Sequence, residues 1–110
     1  MAEFIKGDVV VVPFPFSNLS QIKRRPAFVV NKFAGDDLIL CQITSQTIKD
    51  KYSVSIRETD FANGILSVNS NIRPNRIFTA DKSIILYKVG NLKENKLREV
   101  IKKIIQIIKD

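Results

Sequence analysis

The spacing of apolar residues changes once along this chain, at Lys93. Beyond that point apolar residues recur every three or four positions, the period of one face of an α-helix. They are Leu97, Val100, Ile101, Ile104, Ile105 and Ile108. Before that point the apolar residues form short runs between turn residues. The sequence therefore predicts a mainly β protein that ends in a single helix.

The short runs are rich in β-branched and aromatic residues, as is usual in strands. The predicted strands are Asp8–Phe14, Ala27–Asn31, Leu38–Ile43, Tyr52–Ile56, Asn71–Phe78 and Ser83–Val89. Pro74 interrupts one of them and predicts an edge position or a bulge, because proline cannot donate to a ladder. Short strands with one terminal helix are typical of a small antiparallel barrel or half-open sheet, of which the SH3-like roll is one closure.

The predicted helix starts after Asn91, whose side chain is suited to capping its first turn. Its apolar stripe must cover another apolar surface. The sheet of the same domain is the favoured surface, and a groove on a partner protein is the alternative.

The residue inventory excludes several classes of active site. The chain has no His, so Ser-His-Asp and Cys-His nucleophiles cannot be built and the commonest metal ligand is missing. Its one Cys, Cys41, lies in an apolar run and predicts a buried thiol in a reducing compartment. The acids are not grouped at metal-ligand spacing, and the four glycines stand alone. We therefore expect neither a metal nor a cofactor.

No stretch of the chain is predicted to target or span a membrane. The first residues, Met1 to Lys6, lack the apolar run of a signal peptide, and no window is long and apolar enough for a spanning helix. We expect a cytoplasmic protein.

The densest group of cations is formed by Lys23, Arg24 and Arg25, in a polar segment predicted to be a loop that ends at Pro26. The whole chain carries 18 Lys and Arg against 11 Asp and Glu, a formal charge of +7. Guanidinium groups stay charged and offer paired donors that match phosphate oxygens. The cluster is therefore either a phosphate contact or a solvated edge that keeps the protein soluble.

Two further polar groups lie after one predicted strand and within another. Thr44, Ser45 and Gln46 come directly after the third strand, where they either hold a phosphate or base edge or make ordinary turn hydrogen bonds. Arg73 and Arg76 flank Pro74 and are either functional or a charged edge that deters aggregation. Cations with hydroxyls suit polyanion binding, or RNA cleavage in which the 2′-hydroxyl of the RNA attacks the adjacent phosphate.

Four motifs in this order and spacing resemble the MazF/PemK family of toxins from toxin–antitoxin pairs. They are Gly7-Asp8-Val9-Val10-Val11-Val12-Pro13-Phe14, Arg24-Arg25-Pro26-Ala27-Phe28-Val29-Val30, Ile43-Thr44-Ser45-Gln46 and Asn71-Ile72-Arg73-Pro74. The resemblance spans nearly the whole chain as one toxin domain. It implies an SH3-like barrel with a C-terminal helix, a homodimer, an acidic antitoxin partner, and metal-independent cleavage of single-stranded RNA.

The resemblance also assigns roles to residues. Arg25 in the Arg-Pro step matches the catalytic arginine of the family, and Thr44 matches its catalytic threonine. The RNA-binding residues that we predict around them are Ser17, Lys23, Arg24, Ser45, Gln46, Arg73 and Arg76. Many members carry an acid in the loop before the Arg-Pro step, whereas residues 16–25 contain none. The chain has neither that acid nor a His, and Arg25 is a poor acceptor for the 2′-hydroxyl proton. The sequence therefore assigns no general base.

Two other functions fit the same fold. CcdB-type toxins share it and inhibit DNA gyrase by binding the enzyme through the terminal helix. Here Ile107 is the one apolar residue of that helix predicted to lie off the main stripe, which is little apolar surface for docking. A barrel that binds nucleic acid without cutting it is the third possibility.

Overall fold

The computed structural model describes residues 3–15, 22–33 and 35–110. Within these ranges the chain forms strands followed by one α-helix, as the change of period predicts. The elements are β1 (Asp8–Pro15), β2 (Ile22–Lys32), β3 (Asp37–Thr44), β4 (Val54–Ile56), β5 (Phe61–Gly64), β6 (Ser70–Asp81), β7 (Tyr87–Leu92) and α1 (Glu94–Lys109), with short 3₁₀ turns at Glu58–Asp60 and Lys82–Ile84.

The strands form one seven-stranded antiparallel sheet in the order β4-β6-β3-β2-β1-β7-β5. β1, β2 and β3 are consecutive neighbours, so the N-terminal half is a meander. β6 adds to the free side of β3, and β7 returns to the free side of β1. The sheet curls into a half-barrel, which confirms the predicted mainly β fold with a C-terminal helix.

Both faces of the central strands are buried. Neighbouring residues of β1 belong to different apolar clusters: Val9 packs with Phe28 and α1, whereas Val10 packs with Ala27 and Leu40. A strand covered on both faces has no polar side, because successive side chains point to opposite faces. This explains why β1 is a continuous apolar run.

α1 covers one face of the sheet with only part of its apolar stripe. Val100 and Ile104 are buried, and Ile107 is half-buried, so the expectation that Ile107 lies off the packed face is wrong. Ile105 is 56% exposed and Ile108 74% exposed. The helix therefore packs on its own sheet, as favoured, but leaves an apolar strip uncovered. In the described part of the chain no helix combines the length and apolar character needed to cross a membrane.

The helix cap differs from the prediction. β7 extends to Leu92, so Asn91 lies inside a strand, where its side-chain oxygen accepts a hydrogen bond from Asn63 Nδ2 at 3.2 Å. The N-cap residue is Lys93, which makes no side-chain cap. The predicted strand Ser83–Val89 is also displaced, because its first residues form the 3₁₀ turn that follows Asp81.

Pro74 lies at a bulge, as predicted. Gln42 of β3 pairs with Arg73 and the preceding residue, Cys41, pairs with Ile77, so residues 74–76 face no residue of β3. These three residues form the bulge, and Pro74, which has no N–H to donate to the ladder, is one of them. Arg73 therefore ends the first ladder segment of β6 rather than lying in a loop.

The segment from Lys23 to Arg25, predicted as a loop, is part of β2. Lys23, Arg24 and Arg25 pair with Phe14, Pro13 and Val12 of β1. The prediction of a loop is wrong, because pairing with β1 holds this segment as a strand. Its own residues are mostly cations and show no alternation of apolar and polar side chains that would predict a strand. The ladder to β3 ends at Ala27, so one side of Pro26 faces no strand, the edge setting in which proline is tolerated.

Candidate nucleic-acid interface

The register of β2 and β3 brings the two predicted catalytic residues to one end of the sheet. The described pairing ends at Ala27 opposite Gln42. In the same register the next residues on that face of the two strands are Arg25 and Thr44, because side chains two positions apart share a face. The structure thus places an arginine and a hydroxyl residue on the same face where the ladder ends.

Thr44 is the last residue of β3 and is 6% exposed. Its Oγ1 accepts a hydrogen bond from the backbone N–H of Gln46 at 3.2 Å. No acceptor among the described residues takes the hydroxyl proton of Thr44, so the hydroxyl retains a donor for a bound oxyanion. A buried hydroxyl of fixed orientation is suited to contact a reacting phosphate.

Asn71 holds the backbone that follows Thr44. It is the partner of Thr44 in the β3–β6 ladder. Its Nδ2 donates to the carbonyl of Gln46 at 3.0 Å, and its Oδ1 accepts from Ser55 Oγ at 3.3 Å. Through these bonds three strands fix the turn that carries the exposed Ser45 and Gln46.

Arg73 lies on the same face of the sheet as Thr44, because it pairs with Gln42, two residues before Thr44. Its side chain is 19% exposed. The Nε atom is buried and has no hydrogen-bond partner among the described residues. Its Nη2 lies 3.9 Å from Asp50 Oδ2. A second guanidinium therefore faces the end of the sheet that carries Arg25.

Asp50 is a residue that the sequence analysis did not select. Its Oδ1 accepts hydrogen bonds from the N–H groups of Tyr52 and Ser53, both at 2.9 Å. These two amide donors lower the pKa of Asp50, and the positive charge of Arg73 lowers it further. An Asp two residues before an alternating strand is a typical turn signal, but the sequence does not show that the other carboxylate oxygen faces Arg73.

The other predicted RNA contacts differ in their surroundings. Arg24 and Arg25 border a cavity of about 240 Å³. Its lining is completed by Pro26, Ile43, Ser45, Leu66, Ser67, Val68 and Ser70. Lys23 and Arg76 are exposed, Arg76 within the bulge after Pro74. Ser17 lies outside the described residues.

A second cavity adjoins the first and is strongly polar. It also measures about 240 Å³ and shares Ser45 and Ser70 with its neighbour. Its other lining residues are Thr47, Ser55, Ile56, Arg57, Asn69 and Asn71. Hydroxyls, amides and an arginine match the donors and acceptors of a nucleotide. Arg57 and Ser55 come from β4 and its flank, and the sequence offers no signal that links them to Thr44.

The donors available to a metal are sparse in this region. Among the described residues there is no group of three or more His, Cys, Asp and Glu that could hold a metal ion. Cys41 is fully buried, and burial raises the pKa of its thiol to about 12. The groups that line the site are arginine, hydroxyl and amide groups, which can neutralise charge and donate hydrogen bonds.

One known family matches nearly the whole chain. The family model of PemK-like, MazF-like toxins of type II toxin–antitoxin systems matches residues 5–108. The chain belongs to this toxin family. The resemblance carried by the motifs around Asp8, Arg25, Thr44 and Arg73 is thereby confirmed. No curated protein is similar enough in sequence to count as a match.

Solved structures of MazF proteins share the fold. MazF from Deinococcus radiodurans is 20% identical, with a TM-score of 0.77 and all of both chains covered. A MazE–MazF structure from the same organism has 19% identity and a TM-score of 0.76, covering 96% of this chain and 95% of the other. An endoribonuclease from a mycobacterial species, solved with its cognate antitoxin, is 11% identical with a TM-score of 0.78, covering 97% and 96%.

Proposed function

We propose that this PemK-like, MazF-like toxin is a metal-independent endoribonuclease that cleaves single-stranded RNA and thereby inhibits growth. The observation that carries the proposal is the common placement of Arg25, Thr44 and Arg73 on one face at the end of the β2–β3 ladder. Two guanidiniums and a hydroxyl are the groups needed to stabilise charge on a phosphate undergoing substitution.

In the proposed reaction the 2′-hydroxyl oxygen of the RNA forms a bond to the adjacent phosphorus while the bond from phosphorus to the 5′-oxygen breaks. The products are a 2′,3′-cyclic phosphate and a free 5′-hydroxyl. The 2′-hydroxyl loses its proton and the leaving 5′-oxygen gains one, so the reaction consumes no water. Arg25 neutralises the non-bridging oxygens as charge develops, and Thr44 donates a hydrogen bond to the same group.

Single-stranded RNA suits the proposed site better than a duplex. The two adjoining cavities near Ser45 are small and lined by side chains that can bind separate nucleotides. Sequence-specific recognition of RNA usually relies on unstacked bases in single strands. The small concave surface of one chain also supports a homodimer that extends the groove across two copies.

The deciding experiment incubates the protein with a single-stranded RNA in excess EDTA and sequences the ends. We expect cyclic phosphate and 5′-hydroxyl ends, and no cleavage of the same sequence in DNA. An RNA with a single 2′-deoxy sugar at the cut position should bind but resist cleavage. Cleavage of that analogue at the normal rate would disprove the mechanism.

One observation favours a second function. Ile105 and Ile108 on α1 are exposed, and a CcdB-type inhibitor would need such a strip to bind a protein target. A gyrase supercoiling assay separates the two functions. Inhibition of supercoiling without RNA cleavage, lost in Ile108→Ser, would replace the nuclease by the inhibitor.

A further inference from the structure

The two carboxylate oxygens of Asp50 make different contacts. Oδ1 is held by the N–H groups of Tyr52 and Ser53, both at 2.9 Å. Oδ2 is left to face Arg73 Nη2 at 3.9 Å. Because these two hydrogen bonds fix the carboxylate, the position of its negative charge does not depend on the side-chain rotamer of Arg73.

Arg73 is the residue that this fixed charge can hold. Its side chain is 19% exposed and that of Asp50 is 26% exposed, so the pair is less screened than an ion pair in open solvent. The Nε of Arg73 is buried without a partner among the described residues. A buried donor in that state is rare in native proteins and calls for an explanation. Its other nitrogens remain available for an external acceptor.

We propose that Asp50 is a positioning residue, which holds the guanidinium of Arg73 at the end of the β2–β3 ladder and partly neutralises it until an RNA phosphate binds. This inference rests on the proposed nuclease function. Asp50 is not the general base, since the amide donors that lower its pKa also make it a weak proton acceptor. It acts through Arg73 and does not touch the reacting atoms.

The key variant is Asp50→Asn. Asparagine keeps an oxygen that can accept from the Tyr52 and Ser53 amides, so the turn is retained, but the charge is removed. Release of Arg73 should lower kcat by about tenfold to a hundredfold, the scale of a misplaced catalytic contact. KM should stay the same or fall. Because Arg73 becomes an uncompensated cation, the salt dependence of RNA binding should steepen by about 0.7 in log–log slope.

Asp81→Asn is the matched control. Asp81 also accepts a backbone hydrogen bond, from Ser83 N–H at 2.8 Å, and this bond lowers its pKa. It pairs with Asp37 of β3, whereas Arg73 pairs with Gln42, five residues along the same strand and therefore roughly 17 Å away, beyond the Debye length of about 10 Å at 0.1 M salt. This variant changes the net charge equally, and its kcat, KM and salt slope should match those of the unmodified protein.

A double-mutant cycle tests whether Asp50 acts through Arg73. In an Arg73→Gln background, Asp50→Asn should have no further effect on kcat or on the salt slope. Thermal melts of all four proteins check that they are folded. If Arg73→Gln does not fold, Arg73→Met replaces it, because Met keeps an unbranched side chain but carries no charge.

The outcomes separate this inference from the function on which it rests. If the unmodified protein cleaves RNA but Asp50→Asn behaves like Asp81→Asn, the positioning role is wrong. An additive double mutant would likewise contradict it. If the unmodified protein cleaves no RNA, the proposed function fails. The ion pair between Asp50 and Arg73 can then still be tested by measuring the pKa of Asp50 in a carbon NMR titration. The pKa of Asp50 should rise in Arg73→Gln, and an unchanged pKa overturns the pairing.

Discussion

Gly64 and Gly90 face each other in the β5–β7 ladder at a distance that admits no side chain on either. A Cβ on Gly64 would lie 2.0 Å from the carbonyl oxygen of Val89, and a Cβ on Gly90 would lie 2.1 Å from that of Asn63. Gly64 also has a φ of +76°, where other residues are strained. The chain can therefore bring β5 beside β7 only because both positions are glycine.

Alanine at Gly64 or Gly90 should lower the free energy of unfolding, because backbone atoms cannot yield as a flexible side chain does. The clash should cost about 1–3 kcal/mol, measured by denaturant unfolding. Gly35→Ala is the control, since Gly35 has a φ of +95° but no atom of the described residues lies within 4 Å of the position that a Cβ would take. A Gly64→Ala variant no less stable than Gly35→Ala would contradict the close approach.

Arg25→Ala should lower the rate of RNA cleavage by about a hundredfold to a thousandfold, the usual loss when a charge stabiliser is removed. The half-exposed position of Arg25 leaves the fold intact, so the melting temperature should change little. Arg98→Ala is the control, because the Arg98 side chain on α1 is 78% exposed and, among the described residues, pairs only with Glu94 on its own helix. Cleavage by Arg25→Ala at the rate of the control would show that the assignment is wrong.

Thr44 can be tested by retaining or deleting its hydroxyl. Thr44→Ser keeps Oγ and should keep both cleavage and the hydrogen bond from Gln46 N–H. Thr44→Val preserves the shape, removes the hydroxyl and should lose cleavage on the scale of Arg25→Ala. It should also lose about 1 kcal/mol of stability with that hydrogen bond. Equal cleavage by the Ser and Val variants would exclude a chemical role for the hydroxyl.

Lys23→Ala should weaken RNA binding without slowing cleavage of bound RNA. Lys23 is exposed at the start of β2, and a phosphate contact outside the reacting group contributes only to affinity. The slope of log affinity against log salt should become shallower by about 0.7. Lys109→Ala at the end of α1 removes the same charge far along the chain and should leave that slope unaltered.

Cys41 should be inert toward thiol reagents in the folded protein. Its pKa of about 12 lies well above the ordinary value near 8.5, because burial penalises the thiolate. Between these two pH values the unfolded chain releases a proton that the folded chain keeps, so stability should fall as pH rises through this range. Iodoacetamide labelling at pH 8 should occur only after denaturation. Cys41→Ala should lose this part of the alkaline destabilisation.

The local pattern of apolar residues was sufficient to predict the strands and the helix whose own residues favour that structure. β1 is apolar throughout because both of its faces are covered, and α1 has the period of a helix that packs on one side. The membership of Lys23 to Arg25 in β2 could not be predicted, since it depends on pairing with β1. Local residues also could not show that β7 continues through Gly90 to Leu92.

The candidate site divides in the same way. Motif resemblance selected Arg25, Thr44 and Arg73, and the register places them on one face. Their roles in RNA cleavage stay predictions. Asp50 was missed because its three partners differ in their distance along the chain: the Tyr52 and Ser53 amides are local, whereas Arg73 lies on another strand. The contribution of Ser55 depends likewise on β4 pairing with β6.

The last prediction is an acidic antitoxin that covers the proposed RNA-binding face. The net charge of +7 and the guanidiniums of Arg25 and Arg73 favour rapid capture of a negatively charged segment, and donors placed for phosphates also accept carboxylates. One of the similar structures is an endoribonuclease in complex with its cognate antitoxin, and another contains MazE with MazF. Expression of the toxin alone should arrest growth, and co-expression with the neighbouring open reading frame should relieve the arrest.

The purified complex should be inactive on RNA, because substrate and antitoxin would compete for the same cations. Arg25→Ala should therefore weaken antitoxin binding as well as cleavage, whereas Arg98→Ala on α1 should leave the antitoxin affinity unchanged. Calorimetry at two salt concentrations measures that affinity, which should fall as salt screens the charges. Titration of the complex with RNA then tests the location of the antitoxin. Undiminished cleavage by a complex that stays intact would place the antitoxin elsewhere, with the exposed strip of Ile105 and Ile108 as the next surface to mutate.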